Sequence, residues 1–264
     1  MATALSGHVT PRKAGDELHP TRVNVIQVID YHKTYGETVA VRGLSFQVPA
    51  RAILGLVGAN GAGKTTTLRA LAGIIPPTQG QLLIAGHDVV REPVAAKSRL
   101  AYVPDDPKLF DELTVWEHFE FIASAYRVAG FQPAAEALLH TLELGEKRDA
   151  PAQGLSRGMR QKVAIACAYL HDPAAILLDE PMTGLDPHGI RIFKESLAAR
   201  AKAGAAVVLS SHLLSMVEDL CTHLLILAKG RPLFCGTLDE ARSRFPQLEG
   251  ESSLEEIFFH ATKE

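Results

Sequence analysis

Gly58-Ala59-Asn60-Gly61-Ala62-Gly63-Lys64-Thr65 decides how this chain is read. The stretch fits Gly-x-x-x-x-Gly-Lys-Ser/Thr, and it stands in the setting that pattern requires. An apolar run from Ala52 to Val57 reads as a strand leading in. A helix is expected from about Lys64 to Ala72, closed by Gly73 as its C′ glycine. Glycines let the backbone wrap a phosphate with successive N–H groups pointing inward. The helix start beneath adds about half a positive charge. Lys64 can then reach the β- and γ-phosphates of a nucleotide, and the Thr65 hydroxyl can take a Mg2+ position. The expected nucleotide contacts are therefore Gly58, Ala59, Asn60, Gly61, Ala62, Gly63, Lys64, Thr65 and Thr66. The plain alternative is an ordinary glycine turn, and the strand-before, helix-after context weighs against it.

Outward from this loop the chain keeps an α/β rhythm. Asn24 to Ile29 alternates as a strand does, and Leu44 to Val48 and Gln81 to Ile84 are further strands. After Pro104 the texture changes. Residues 105 to about 150 carry no convincing strand. Thr114-Val115-Trp116-Glu117 reads as a capping box opening a helix to about Val128, and a second helix is expected from about Pro133 to Leu144. Strands then return at Ala174–Leu178 and Ala205–Leu209, with helices over Ile190–Lys202 and Leu213–Leu220. His223–Ala228 and Pro232–Cys235 flank Lys229-Gly230 as a hairpin, and short helices near Asp239 and Leu254 finish the chain. The division is a flexible extension over residues 1–22, one domain over 23–240 with a helical insertion over about 105–155, and a short helical tail over 241–264.

Composition narrows the setting. The 264 residues are 47% hydrophobic, enough for one large core. A net charge of −3 gives no reason to expect nucleic acid as a partner. Cys167, Cys221 and Cys235 are far apart and form no metal-type pair, so they are expected to be reduced, mostly buried thiols of a cytosolic protein. No apolar run approaches the roughly 18 residues of a membrane span. His8, Arg12, Lys13 and Asp16 stand where a signal peptide would be apolar. The expectation is a chain that neither spans a membrane nor is exported.

Ile176-Leu177-Leu178-Asp179-Glu180 puts two carboxylates at the carboxyl end of an apolar strand, where ligands sit in open α/β sheets. Asp179 suits a Mg2+ shell, and Glu180 suits general-base work on an attacking water. By themselves these two residues read equally well as a surface acidic turn before Pro181. With the glycine loop, residues 24 to 236 resemble an ABC-type ATPase. That resemblance implies a RecA-like, mostly parallel sheet core with an N-terminal antiparallel β subdomain and an inserted helical subdomain. Asp179 and Glu180 match the family's Walker B aspartate and catalytic glutamate. Gly184-Leu185-Asp186 resembles the D-loop, which communicates across the family's dimer. Ser210-Ser211-His212 resembles the switch-histidine segment, implying a γ-phosphate contact for His212. Tyr35 has the spacing of the family's aromatic that stacks on adenine, although a lone tyrosine is more often a packing or surface residue. Leu155-Ser156-Arg157-Gly158-Met159 resembles the signature written LSGGQ, keeping Ser156 and Gly158 and departing at Arg157 and Met159. Ser156 is a good N-cap, and the resemblance implies that its helix start faces the γ-phosphate held by another protomer.

The family places Gln after the strand preceding the helical insertion, where this chain has Asp105 after Tyr102-Val103-Pro104. Asp105 reads either as a further Mg2+-shell residue or as a loop residue before a turn at Asp106-Pro107. The acidic residue, the Arg-Gly-Met signature and the tail Ser253-Leu254-Glu255-Glu256-Ile257-Phe258 resemble the antibiotic, lipid and peptide exporter branch. The resemblance implies ATP and Mg2+ as cofactors and a multi-spanning permease as partner. It also implies a head-to-tail homodimer, or pairing with a paralogous ATPase, on the cytoplasmic face of the membrane. Part of residues 105–125 is the expected permease contact, with Trp116, Phe119, Phe121 and Ile122 as helix core or docking face. A guanine-nucleotide switch is excluded because neither Asn24 nor Asn60 begins Asn-Lys-x-Asp. A P-loop kinase leaves Ser156, Glu180 and His212 without roles. A non-transport ABC ATPase and an ATP-holding module without turnover are the remaining alternatives. The second conflicts with the presence of Glu180 and His212.

Overall fold

A computed structural model describes residues 24–212, 214–244 and 254–263. The extension expected over residues 1–22, and Ser253 of the tail, lie outside the described residues.

Two sheets carry the fold. The first begins with β1 (Asn24–Tyr35) and β2 (Thr38–Pro49), an antiparallel pair far longer than the short alternating runs in the sequence. β3 (Ile53–Gly58) and α1 (Lys64–Leu71) follow, and then β4 (Gln79–Ile84) and β5 (His87–Asp88) complete a four-stranded sheet of order β2-β1-β4-β5. A six-residue helix, α2 (Pro93–Ser98), precedes β6 (Leu100–Val103). The segment expected as a helical insertion then supplies α3 (Val115–Tyr126) and α4 (Gln132–Thr141), and α5 (Arg157–Leu170) follows it. The capping box at Thr114 is formed: its hydroxyl accepts from Glu117 N while Glu117 accepts from Thr114 N.

After the insertion come β7 (Ala175–Asp179), α6 (Pro187–Ala203), β8 (Ala206–Ser210), α7 (Leu214–Leu220), β9 (His223–Ala228), β10 (Arg231–Thr237), α8 (Leu238–Arg244) and α9 (Leu254–Lys263). The second sheet runs β10-β9-β3-β8-β7-β6, parallel from β9 through β6 with β10 antiparallel at the edge. This is the mostly parallel core, with an antiparallel β layer and inserted helices, that the resemblance implies.

The parallel strands are apolar throughout because both faces are covered. Leu54 and Leu56 of β3, Ala175 and Leu177 of β7, and Ala206 and Val208 of β8 face the core shared with α1 and the antiparallel sheet. Their neighbours Ile53, Val57, Ile176, Leu178, Val207 and Leu209 face the core shared with α3, α4 and α5. One sheet therefore anchors two cores, and its strands end at the site. The aromatic cluster of α3 is split: Phe119 is fully buried while Phe121 is 49% exposed. Cys167 and Cys221 are buried, with thiols pushed up to about 12 by burial, and Cys235 is exposed.

Candidate active site

The loop after β3 is held open for an anion by its own backbone. Gly63, the N-cap of α1, has φ +107°, and a Cβ there would lie 2.9 Å from the Ala40 carbonyl. Only glycine meets both demands without strain. No side chain caps α1, so its first N–H groups remain available to a ligand. Ala62 N donates to Ala59 O at 3.0 Å, and Gly230 N donates to Ala62 O at 3.1 Å, so the loop is braced against the β9–β10 turn. Lys64 is 7% exposed and folds back over the loop, donating to Gly58 O at 2.7 Å and Ala59 O at 3.3 Å. A buried ammonium satisfied only by carbonyl dipoles is a ready partner for a phosphate anion.

Parallel pairing brings the carboxylates to the same place. β3, β8 and β7 are neighbours in the sheet, and Asp179 pairs in register with Ser210. Asp179 is 2% exposed, and its Oδ1 accepts from Ser210 Oγ at 2.6 Å. The same Ser210 hydroxyl accepts from Glu180 N at 3.1 Å, so one side chain fixes both acidic positions. Glu180 sits at φ +47°, a left-handed conformation that costs a non-glycine residue about 1–2 kcal/mol. That turn sends its carboxylate to His212, whose Nδ1 lies 2.8 Å from Glu180 Oε2. An ionised carboxylate can only accept, so Nδ1 carries the proton there and a neutral ring keeps Nε2 as an acceptor. Tyr102 of β6 stands nearby: burial raises its phenol's pKa, and the charge of Asp179 adds to the rise.

A cavity of about 260 Å3 gathers these groups. Its walls are Ala40, Asn60, Gly61, Ala62, Gly63, Lys64, Thr65, Thr66, Asp105, Asp179 and Glu180. The structure thus brings together residues 60–66 of the loop, both Walker B positions and Asp105, with His212 attached through Glu180, while Gly58 and Ala59 lie behind the lining with their carbonyls on Lys64. It does not bring in the rest. Tyr35 is 47% exposed at the tip of the β1–β2 hairpin with Lys33 Nζ 4.8 Å from its ring centroid, and from that hairpin Ala40, not Tyr35, lines the cavity. Ser156 caps α5 by accepting from Met159 N at 3.3 Å, and neither it nor Gly158 lines the cavity. A Cβ on Gly158 would lie 2.5 Å from Gly184 O, so the start of α5 rests directly on the Gly184-Leu185-Asp186 segment. Sequence reasoning missed the joint role of Ser210. A hydroxyl at the end of a buried strand beside the Asp-Glu strand was the available signal.

A strand–glycine loop–helix unit with paired carboxylates on a neighbouring parallel strand defines a P-loop nucleotide-hydrolysing cassette. The profile of the ABC transporter family matches residues 41–183. The ABC-type transporter ATP-binding protein EcsA of Bacillus subtilis (strain 168) is 33% identical over 244 residues, spanning 92% of this chain and 98% of that protein. The Nod factor export ATP-binding protein I of Cupriavidus metallidurans is 34% identical over 211 residues, 79% of this chain and 70% of that protein. A solved structure described as an ATP-binding subunit of an ABC transporter superposes with a TM-score of 0.86 at 32% identity, covering 90% of this chain and 99% of that one. The chain belongs to the ABC transporter family, and it is an ATP-binding, ATP-hydrolysing transporter subunit. Among the described residues no helix is long and apolar enough to cross a membrane.

Proposed function

We propose that this subunit hydrolyses Mg2+-ATP at the cavity between Asn60–Thr66 and Asp179–Glu180, as half of a head-to-tail pair that drives an export permease. The observation that carries the reading is the Glu180–His212 contact at the edge of the phosphate-loop cavity. Lys64 turns from the Gly58 and Ala59 carbonyls to the β- and γ-phosphates. Glu180 accepts a proton from the attacking water, whose oxygen bonds to the γ-phosphorus as the bond to the bridging oxygen breaks, yielding ADP and phosphate. His212 aims Glu180 through the 2.8 Å contact of its Nδ1.

The oxygen donors fit a hard divalent cation: the Thr65 hydroxyl, the nearly buried Asp179 carboxylate held by Ser210, and Asp105. These residues would hold Mg2+, which when bound neutralises charge on the phosphate oxygens. Ser156 and Gly158, outside the cavity of their own chain, complete the cavity of a partner. Tyr35 stacks on the adenine.

Export follows the likeness to the Nod factor export protein and the Asp105 and Arg157 departures. The permease contact falls on the insertion, where Phe110, Asp111, Glu112, Leu113 and Phe121 line a hollow and Phe110 and Phe121 are about half exposed. The subunit then works peripherally on the cytoplasmic face of the membrane. The test is Glu180→Gln, which removes the base and keeps the side chain's size. Turnover should fall about 10²- to 10⁴-fold. Light scattering should find a dimer with ATP and much less with ADP, and adding Ser156→Arg should abolish it. A variant that stays monomeric at saturating Mg2+-ATP, or a dimer indifferent to Ser156→Arg, overturns the composite site.

A further inference from the structure

Two of the three places where this chain departs from its family's pattern, Asp105 and Arg157, are 52 positions apart and touch. Arg157 Nη2 lies 3.7 Å from Asp105 Oδ1. Three features make this more than a chance surface pair. Arg157 is the first residue of α5, whose first turn holds no acidic residue. A cation there opposes the helix dipole and needs an anionic partner. Its aliphatic stem lies over Gly184, since a Cβ at Gly184 would sit 3.1 Å from Arg157 Cγ and Cδ, so the guanidinium has a defined course. The second arginine of that turn, Arg160, is tied to the same connecting segment, 3.0 Å from Asp111. Two arginines at one helix start thus strap the β6–α3 connection onto the signature helix. Asp105 at the same time lines the phosphate-loop cavity with Thr65 and Asp179.

We propose that Arg157 is a positioning residue that competes with the cation of the nucleotide complex for the Asp105 carboxylate. The inference rests on the reading of the cavity as a Mg2+-nucleotide site. One carboxylate cannot satisfy both cations fully. When the site is empty, Asp105 ties the connection to α5. When it is loaded, Asp105 turns inward and the tie is released. The Mg2+ requirement is then set by a residue outside the metal's own ligands, and loading is reported to the helix that faces a second protomer.

The experiment uses the full chain, a fluorescent ATP analogue and a MgCl2 titration at constant ionic strength. Arg157→Gln should lower the Mg2+ midpoint for nucleotide binding by about 1.5- to fivefold, the range that an exposed ion pair supports. In an Asp105→Asn background, Arg157→Gln should leave the midpoint unchanged. Without nucleotide, Arg157→Gln should raise amide hydrogen exchange across residues 104–111. An unchanged midpoint in Arg157→Gln overturns the proposal, as does unaltered exchange. An equal shift in the Asp105→Asn background also overturns it, because that would be the field of a removed charge rather than competition for one carboxylate. If wild-type chain shows no Mg2+-dependent nucleotide binding, the site reading itself fails and takes this inference with it. If wild type shows it and the midpoint does not move, only the competition fails.

Discussion

The phosphate loop and the signature helix are both helix starts suited to an anion, and they are built in opposite ways. At α1 no side chain caps the helix, the start lines a cavity, and the cation Lys64 is 7% exposed against backbone carbonyls. At α5 Ser156 caps the start, which lies outside that cavity, and the cations Arg157 and Arg160 are paired with acidic side chains. The first is finished within one chain. The second, with Ser156 and Gly158 outside the cavity of its own chain, makes sense as half of the proposed pair. A subunit with one helix start inside its cavity and one outside it fits the pairing with a copy proposed above.

The largest expected effect strikes the complete half. Lys64→Ala should cut ATP turnover at least about 100-fold, since it removes the cation proposed to meet developing phosphate charge. Steady-state phosphate release measures it, and turnover near wild type would dissolve the contrast between the two helix starts.

Next comes the incomplete half. Gly158→Ala must push α5 off the Gly184 carbonyl, an overpacking worth about 1–3 kcal/mol. For a chain of this size that is about 2–4 °C in Tm per kcal/mol. Nucleotide affinity of the isolated chain should stay put while ATP-driven pairing of a Glu180→Gln background is lost. Calorimetry and light scattering separate the two. A loss of nucleotide affinity in the monomer would mean that the halves are not separate.

The smallest effect sharpens the comparison. Tyr35→Ala should weaken ATP binding by about 0.5–1.5 kcal/mol, the range of an aromatic stacking contact, with little change in maximal turnover. An unchanged dissociation constant assigns the adenine contact elsewhere.

What the sequence reveals and what it hides follow from distance along the chain. The loop at residues 58–65, the capping box at Thr114 and the acidic end of β7 are contiguous, and each is legible because its physics is local. β1 looks short because Asp30, at φ +45°, interrupts its alternation, and the register shifts between Val28 and Tyr31. α2 is only six residues long and too brief for a helical period. The Ser210 bridge and the Asp105–Arg157 pair join residues 31 and 52 positions apart, and no spacing rule reaches that far. The identities of Ser156 and Gly158 are legible, but their placement outside the cavity needs coordinates.

Glu180 has one more consequence. Its left-handed backbone is a conformation that glycine adopts freely and glutamate resists. Selection for thermal survival alone would therefore favour Glu180→Gly, which relaxes the backbone and discards the proposed base in one substitution. A population evolved under heat, without any demand for transport, should drift toward a sturdier cassette that no longer turns over. The glutamate's persistence at this position would then mark the point where the demand for turnover outweighs the demand for stability.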